Sequence, residues 1–159
     1  MNIDNLTFRV ATISDTKEIA NLRWISHEED NAIISEIKSD YITRCENFLN
    51  EGIENNSWFH WIVKNDVAII GVISIFVFER LPAPDREHAF NGYITNVYVS
   101  KKYRRKGIGN LLMGNVKEWA MKKEINVLML YSSEEGVPFY KKNGFTINTD
   151  FFNYVFNDD

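Results

Sequence analysis

A strand, a glycine-containing loop and a helix follow one another directly at residues 93–123, and this order constrains the fold more than any other feature. YITNVYVS (93–100) is rich in β-branched and aromatic residues, which is typical of a strand. The basic loop that follows brings Gly107 and Gly109 to the start of an amphipathic helix. A helix N-terminus has unpaired N–H groups, and glycine allows a ligand to approach them closely. We therefore expect a phosphate or pyrophosphate site here.

Charge is unevenly distributed along this chain, whose formal net charge is −4. Residues 1–60 hold 5 Lys/Arg against 11 Asp/Glu, a net charge of −6, whereas residues 101–123 hold 8 against 1, a net charge of +7. A basic block in an acidic protein favours a local anionic ligand, with a solvated helix face as the alternative. Because no aromatic–basic pattern extends beyond Tyr103, we expect no nucleic-acid partner.

Length and composition are those of one globular domain covering residues 1–159. The hydrophobic fraction is 45% and the charged fraction 25%, both ordinary values. The longest apolar run, 67–78, is too short to cross a membrane, and no secretory signal is visible. The one cysteine, Cys45, lies on the apolar stripe of a predicted helix, so we expect a core residue and a reducing, cytoplasmic setting. No ligand spacing predicts a metal site.

The elements predicted from periodicity alternate in the order β-α-α-β-β-β-α-β-α-β, which indicates a mixed α/β domain. They are a strand at 7–12, a helix at 15–27, a loop or frayed helix end at 27–31, a helix from 34 capped by Gly52, strands at 58–66 and 67–80, a loop at 81–92, the strand and helix of 93–123, a strand at 126–132, a short helix at 134–144 ended by Gly144, and a terminal strand pair or hairpin at 145–156.

Two known glycine-loop patterns fit residues 103–114 poorly. A Walker A loop requires Lys-Ser/Thr after its last glycine, and neither Gly107 nor Gly109 is followed by that pair. A dinucleotide fingerprint requires a third glycine at position 112, where this chain has Leu112. The glycines alone therefore do not identify the ligand.

Two motifs taken together resemble the GNAT (GCN5-related N-acetyltransferase) superfamily. Its acetyl-CoA motif, [RQ]-x-x-G-x-[GA] after a strand, is matched by Arg104, Gly107 and Gly109. Its second motif, FY-x-x-x-GF, is matched by residues 139–145. The resemblance implies a single-domain acyl-CoA N-acyltransferase fold, in which a twisted, mostly antiparallel sheet is splayed at strands 4 and 5 and flanked by helices. The acetyl-CoA motif then covers 93–123 and the second motif 126–145.

The resemblance implies acetyl-CoA as co-substrate and assigns its contacts. Backbone amides from Arg105 to Asn110 cradle the pyrophosphate, the end of the strand pairs with the pantetheine arm, and the N–H of Val99 polarises the thioester carbonyl. Ser133 stands near the place where many members have an asparagine that contacts coenzyme A. The implied binding residues are Val97, Tyr98, Val99, Arg104, Arg105, Lys106, Gly107, Ile108, Gly109, Asn110, Ser133 and Tyr140.

Tyr140 is the residue expected to act as general acid, because the departing thiolate needs a proton and a tyrosine hydroxyl has comparable acidity. The alternative is a buried aromatic residue of the short helix. A base for the incoming amine is not selected by spacing. The candidates are Glu79, which we place first, and Glu87, His88, Tyr93 and Asn96. The acidic N-terminal third suggests a cationic acceptor such as a polyamine, an aminoglycoside or a lysine.

The function implied is an acetyl-CoA-dependent N-acetyltransferase, an acyltransferase that moves an acetyl group directly to a primary amine. The acceptor is a small molecule or a peptide, with no nucleic-acid, membrane or metal partner, and the protein is a monomer or a homodimer. The alternative is a non-catalytic acyl-CoA-binding module that senses or regulates. The retained Tyr140 argues against this alternative, because a protein that has lost its catalytic activity does not need a proton donor.

Overall fold

The computed structural model describes residues 5–30, 35–85 and 87–155. Five strands form one sheet in the order in which they occur along the chain, and all neighbours are antiparallel except the last two, which are parallel. The strands are β1 (Thr7–Val10), β2 (Trp58–Lys64), β3 (Ile69–Glu79), β4 (Phe90–Val99) and β5 (Ile125–Leu130). The helices are α1 (Thr16–Glu29), α2 (Lys38–Glu54), α3 (Ile108–Lys122) and α4 (Val137–Lys142). The predicted mixed α/β architecture is confirmed.

Two apolar clusters cover the sheet, one on each face. Successive side chains of a strand point to opposite faces, so Ile62 and Val63 enter different clusters. On one face α1 and α2 contribute residues such as Ile19 and Leu49, and on the other face α3 contributes Leu112, all nearly inaccessible to solvent. The helices form because their apolar stripes are buried against the sheet in this way.

An extra residue in β4 breaks its regular pairing with β3. Val72 pairs with Tyr98 and Ser74 pairs with Thr95, so β4 has two residues where β3 has one. Asn96, one of the two, has a φ of 50°, in the left-handed region that asparagine enters more readily than most residues. The result is a β-bulge, which bends the strand and increases its twist.

Pairing between β4 and β5 stops halfway along β4. The last pair joins Ile94 to Leu130, whereas β4 continues to Val99. Residues 95–99 therefore have no strand partner on that side within the described chain, and the sheet opens between β4 and β5. The cleft that opens there begins next to the bulge.

Two predicted boundaries in the helices were wrong. Gly52 does not cap α2, because α2 continues to Glu54 and Gly52 is buried inside it. A Cβ on Gly52 would lie 2.8 Å from the Trp58 side chain, so this glycine permits close packing of α2 on β2. In addition, α1 continues in regular helical form to Glu29, although residues 27–31 were predicted to be a loop or a frayed helix end. Residues 31–34 lie outside the described residues.

The predicted terminal strand pair is absent from residues 145–155, the part of that segment that the structure describes. An Asx turn, in which Asp150 N–H donates to Asn148 Oδ1 at 2.9 Å, interrupts the segment. Its apolar side chains face solvent, with Phe152 90% exposed. Aromatic and β-branched residues favour a strand only where a neighbouring strand and a packed face receive them, and neither is present here.

Candidate active site

The loop before α3 leaves six successive backbone N–H groups free, from Arg105 to Asn110. The N–H groups of Arg104 and Leu111, on either side, donate to Lys101 O and Gly107 O. Within the described chain none of the six has a hydrogen-bond acceptor. They surround the N-terminus of α3, where the helix dipole is positive, so this backbone is suited to an anion such as a phosphate.

Gly107 and Gly109 are required at this loop for different reasons. Gly107 has a φ of 82°, a conformation that other residues adopt only with strain. Gly109 is helical, but a Cβ there would lie 3.2 Å from Cε2 of Phe139 in α4 and 3.9 Å from Cγ2 of Val99 in β4. The missing side chain therefore lets the end of β4, the start of α3 and α4 meet. This contact brings the two sequence motifs together.

The N–H of Val99 faces the cleft between β4 and β5. Ser100 N–H donates to Ile70 O of β3 at 2.9 Å. Donors alternate between the two edges of a strand, so the N–H of Val99 points to the opposite side, beyond the end of its pairing with β5. An extended peptide-like chain can pair with such an edge.

Tyr140 lies on α4, half-buried between the rings of Phe139 and Phe145, whose centroids are 5.2 Å and 5.9 Å from its own. Its hydroxyl makes no hydrogen bond to any described residue. Burial raises the pKa of Tyr140 above the ordinary value of 10.0, so the hydroxyl keeps its proton at neutral pH. A protonated hydroxyl without a protein acceptor is available as a donor to a ligand.

Asn143 joins α4 to α3. Its Nδ2 donates to Asn110 Oδ1 at 3.0 Å, and its carbonyl oxygen accepts from Lys117 Nζ at 2.8 Å. Because Asn143 follows Tyr140 by one helical turn, these bonds hold α4, and with it Tyr140, at a fixed distance from the free N–H groups of α3. No pattern in the sequence predicts this contact, since Asn143 belongs to the unspecified part of the second motif.

Several predicted coenzyme-binding side chains are engaged within the protein. Arg104 Nε donates to Val99 O at 2.6 Å, and its Nη2 contacts Glu29 Oε2 at 2.5 Å. Tyr98 is buried, and its hydroxyl donates to Glu29 Oε1 at 2.9 Å. Ser133 Oγ accepts from Gly136 N–H at 3.3 Å and caps the turn before α4. The region therefore offers backbone groups to a ligand more than it offers these side chains.

A row of polar side chains lies on the opposite face of the sheet, under the bulge. His60 Nδ1 is 2.8 Å from Ser74 Oγ, which also accepts from Asn96 Nδ2 at 3.1 Å. Asn96 Oδ1 accepts from Arg23 Nη1 of α1 at 3.3 Å. Burial lowers the pKa of His60 to about 4, so this imidazole is neutral at pH 7. We call these four residues the bulge network.

A sequence model of the Acetyltransferase (GNAT) family matches residues 16–145. The chain belongs to this family. The match covers most of the chain and includes both motifs, so the resemblance found in the sequence is confirmed. The GNAT acetyltransferases are acyltransferases.

Solved structures of GNAT proteins share the fold. A predicted acetyltransferase from Clostridium acetobutylicum, solved with acetyl-CoA, superposes with a TM-score of 0.81 at 23% identity, covering 94% of this chain and 96% of that one. A GCN5-related N-acetyltransferase from Ralstonia eutropha gives 0.72 at 22% identity, with 94% and 98% covered. An aminoglycoside acetyltransferase from an uncultured soil metagenomic sample gives 0.78 at 15% identity, with 99% of both chains covered.

Glu79, the first candidate for the base, lies far from the GNAT cleft. It pairs with Phe90 at the start of β4, nine residues before Val99, which corresponds to about 30 Å along the strand. Its carboxylate is 2.8 Å from His88 Nδ1 in an exposed pair. The structure therefore does not bring Glu79 or His88 to the N–H of Val99. Of the other candidates for the base, Asn96 lies closest to Val99 along β4.

The side chain of Lys106 faces away from the cleft. Its Nζ lies 5.8 Å from the ring centroid of Tyr103, and both residues line a cavity of about 530 Å³. The other lining residues come from 5–6, the β2–β3 turn and Lys102, and none comes from β5, α4 or the open edge of β4. This cavity is separate from the GNAT cleft.

The described residues contain neither a metal site nor a membrane-spanning helix. No group of three or more His, Cys, Asp or Glu side chains there has the arrangement of a metal site. None of the helices in that part of the chain combines the length and apolar character needed to cross a bilayer.

Proposed function

We propose that this GNAT protein is an N-acetyltransferase that moves an acetyl group from acetyl-CoA directly to a primary amine. The observation that carries the proposal is the run of six free N–H groups at α3, next to the unpaired edge of β4. Phosphates and an amide-containing arm are the parts of coenzyme A that such backbone groups recognise. Gly109 of α3 lies against Phe139 and Val99, so the free N–H groups, the open edge of β4 and Tyr140 are close to one another.

The donor in this proposal lies along the cleft from phosphate to thioester. The pyrophosphate accepts hydrogen bonds from the N–H groups of residues 105–110, and Arg105 adds an exposed positive charge. The pantetheine arm pairs with residues 97–99. Ile108 contributes only its backbone, because its side chain is buried in the core.

Acetyl-CoA supplies an acetyl group activated as a thioester. The N–H of Val99 donates to the thioester carbonyl oxygen and stabilises the negative charge that develops there. The amine nitrogen forms a bond to the carbonyl carbon, the carbon–sulfur bond breaks, and Tyr140 gives its proton to the departing sulfur. The amine releases its extra proton to water, and Tyr140 regains a proton from water. Cys45 takes no part, because it is buried in the core and burial raises the pKa of its thiol.

Relatives with the same fold act on amines. The metagenomic acetyltransferase has also been solved with sisomicin, an aminoglycoside, and superposes with a TM-score of 0.75 at 15% identity. A glucosamine-6-phosphate N-acetyltransferase from Arabidopsis thaliana gives 0.69 at 16% identity. These identities support the fold only, and their acceptors differ from each other. We therefore propose a primary amine as the acceptor class without taking either compound as the substrate.

The test is the Tyr140→Phe variant, assayed by release of free thiol from acetyl-CoA with a panel of amines. Loss of a positioned general acid lowers kcat by about 100-fold. The Kd for acetyl-CoA stays within twofold, since the ring is retained. In the wild type, kcat falls at high pH as Tyr140 loses its proton, and this fall is displaced above the ordinary tyrosine range because burial raises the pKa of Tyr140.

Tyr103→Phe is the matched control, because its hydroxyl accepts from Asn65 Nδ2 outside the cleft. This variant keeps its kcat. Unchanged turnover in Tyr140→Phe would remove the proposed role of Tyr140. Tight binding of acetyl-CoA by the wild type without turnover of any amine would instead favour a sensor module.

A further inference from the structure

Arg23 is a half-buried guanidinium without a carboxylate partner. It extends from α1 to the bulge, where Nη1 donates to Asn96 Oδ1 at 3.3 Å. No Asp or Glu side chain in the described chain lies within 4.0 Å of it. A charge held away from bulk water is unfavourable unless an opposite charge or several hydrogen bonds compensate it.

Three other arginines of the described chain are paired with carboxylates, whereas Arg80 and Arg105, which also lack such a partner, are exposed to solvent. Arg9 contacts Asp15 at 2.7 Å, Arg44 contacts Glu36 at 2.6 Å, and Arg104 contacts Glu29. Arg23 has no such carboxylate partner, although its side chain is partly buried. Its i+3 and i+4 neighbours on α1 are Ser26 and His27, which offer no carboxylate.

The residues of α2 that face Arg23 carry no negative charge at neutral pH either. They are Tyr41, whose neutral hydroxyl is a hydrogen-bond partner of Arg23, and Cys45, and both are partly or fully buried. Burial raises the pKa of the Tyr41 hydroxyl and of the Cys45 thiol, so both stay protonated. The negative charge that Arg23 lacks is therefore not supplied by the groups packed against it.

The bulge network holds Arg23 in place beside the cleft. Asn96 is fixed from the other side by Ser74, and Ser74 by the buried His60. Asn96 precedes Val99 by three residues, a distance of about 10 Å along β4. A group bound by Arg23 is thus within reach of a molecule whose amine lies at the proposed thioester position.

We propose that Arg23 binds a carboxylate of the acceptor, so that the acceptor is an amine that also carries a carboxylate. This inference rests on the proposed function. A guanidinium pairs with a carboxylate through two parallel hydrogen bonds, which fixes both position and orientation. The acidic N-terminal third suggested a cationic acceptor, but none of its described acids lies within 4.0 Å of Arg23. Among its acids, Asp15, Glu29 and Glu36 are paired with arginines of the protein.

The experiment compares matched acceptors in the wild type and in Arg23→Gln. The acceptors are β-alanine, 4-aminobutanoate and 6-aminohexanoate, each with its uncharged carboxamide counterpart, and putrescine as a dication. We expect the wild type to prefer the best acid over its amide by about tenfold or more in kcat/KM. Arg23→Gln brings that ratio to within about twofold of one. Arg23→Lys keeps the positive charge but cannot form two parallel hydrogen bonds to a carboxylate, so it gives an intermediate acid-to-amide ratio of kcat/KM.

Lys17→Gln is the matched control, because it removes a positive charge from the exposed side of the same helix. It leaves the acid-to-amide ratio unchanged. The Kd for acetyl-CoA and the Tm of Arg23→Gln verify that the fold and donor binding are retained.

Three results would overturn the inference. Turnover of putrescine or of the amides with no preference for the acids, or a preference that survives in Arg23→Gln, refutes the carboxylate site while leaving the N-acetyltransferase function intact. Binding of acetyl-CoA with no turnover of any amine refutes the proposed function, and the carboxylate site with it.

Discussion

On the face of the sheet covered by α3 and α4, the groups available to a ligand belong to the backbone, whereas on the face covered by α1 and α2 they belong to side chains. The first face offers the N–H groups of residues 105–110. The second offers the bulge network, with Arg23 at its end. Recognition by backbone groups depends on the loop conformation and on glycines that leave room for the ligand. Recognition by side chains depends on which residues the fold brings together.

The two faces therefore tolerate change differently. On the backbone face, substitutions that alter the loop conformation should be severe, and substitutions of exposed charges should be mild. On the side-chain face, the identity of each polar residue matters, because each one provides the partner of the next. The three predictions that follow test this difference, in decreasing order of expected effect.

The largest effect is expected from His60, at the buried end of the bulge network. Its pKa is about 4 in the folded protein, against an ordinary value of 6.5. The unfolded chain therefore binds the proton more tightly, and the free energy of unfolding falls as the pH is lowered from 6.5 to 4. The loss is about 3 kcal/mol in full. Urea unfolding across this pH range measures it.

His60→Asn removes this titration while keeping a polar group near the position of Nδ1, so the slope between pH 6.5 and 4 should flatten. His88→Asn is the control, because His88 is exposed. A slope that persists in His60→Asn would assign the pH dependence to other groups. Asp15, whose pKa is about 2, loses its contribution only below pH 4, because Arg9 stabilises its charged form.

The second effect is expected from Gly109→Val on the backbone face. The added side chain overlaps the ring of Phe139, which lies 3.2 Å from the position of a Cβ. Overpacking of this kind costs about 1–3 kcal/mol. Displacement of α4 from the start of α3 should weaken acetyl-CoA binding by about tenfold or more, measured by calorimetry.

Gly114→Val tests the same substitution on the same helix, where a Cβ has no atom within 4 Å. Its Kd for acetyl-CoA should match that of the wild type. Equal losses in the two variants would mean that helix propensity, rather than the contact with Phe139, determines donor binding.

The smallest effect is expected from Arg105→Ala, at an exposed side chain of the loop. One solvent-exposed charge near a helix N-terminus contributes about 0.3–1 kcal/mol, so the Kd for acetyl-CoA should rise only about two- to fivefold. The difference should shrink as salt is added. Lys123→Ala, at the other end of α3, is the control. A loss as large as that of Gly109→Val would show that the loop binds through its side chains.

The backbone face was predictable from the sequence because its requirements are local. Gly107 and Gly109 are needed for a conformation and a contact, and both stand within a few residues of the free N–H groups. Spacing along the chain therefore indicated where these N–H groups would lie. The order of the elements along the chain followed from periodicity for the same reason, since each element carries its own pattern.

The side-chain face was not predictable, because its parts are distant in sequence. Arg23 and Ser74 belong to an ordinary helix and an ordinary strand, and only pairing in register brings them to Asn96. The separation of Glu79 from Val99 was not visible in the sequence for the same reason. The distance between residues on neighbouring strands can be worked out only when the register of the two strands is known. The prediction of strands in the terminal segment was wrong because a strand needs a partner strand, which its own sequence does not specify.

The early end of the pairing between β4 and β5 has a consequence for the free protein. Most sheets have unpaired edges only at their margins, but residues 95–99 form one in the interior of this sheet. Such an edge is a template for any extended chain, including another copy of the protein. In the proposed function, bound donor covers this edge. Colloidal stability of the purified protein should then depend on the concentration of acetyl-CoA, with self-association most pronounced in its absence.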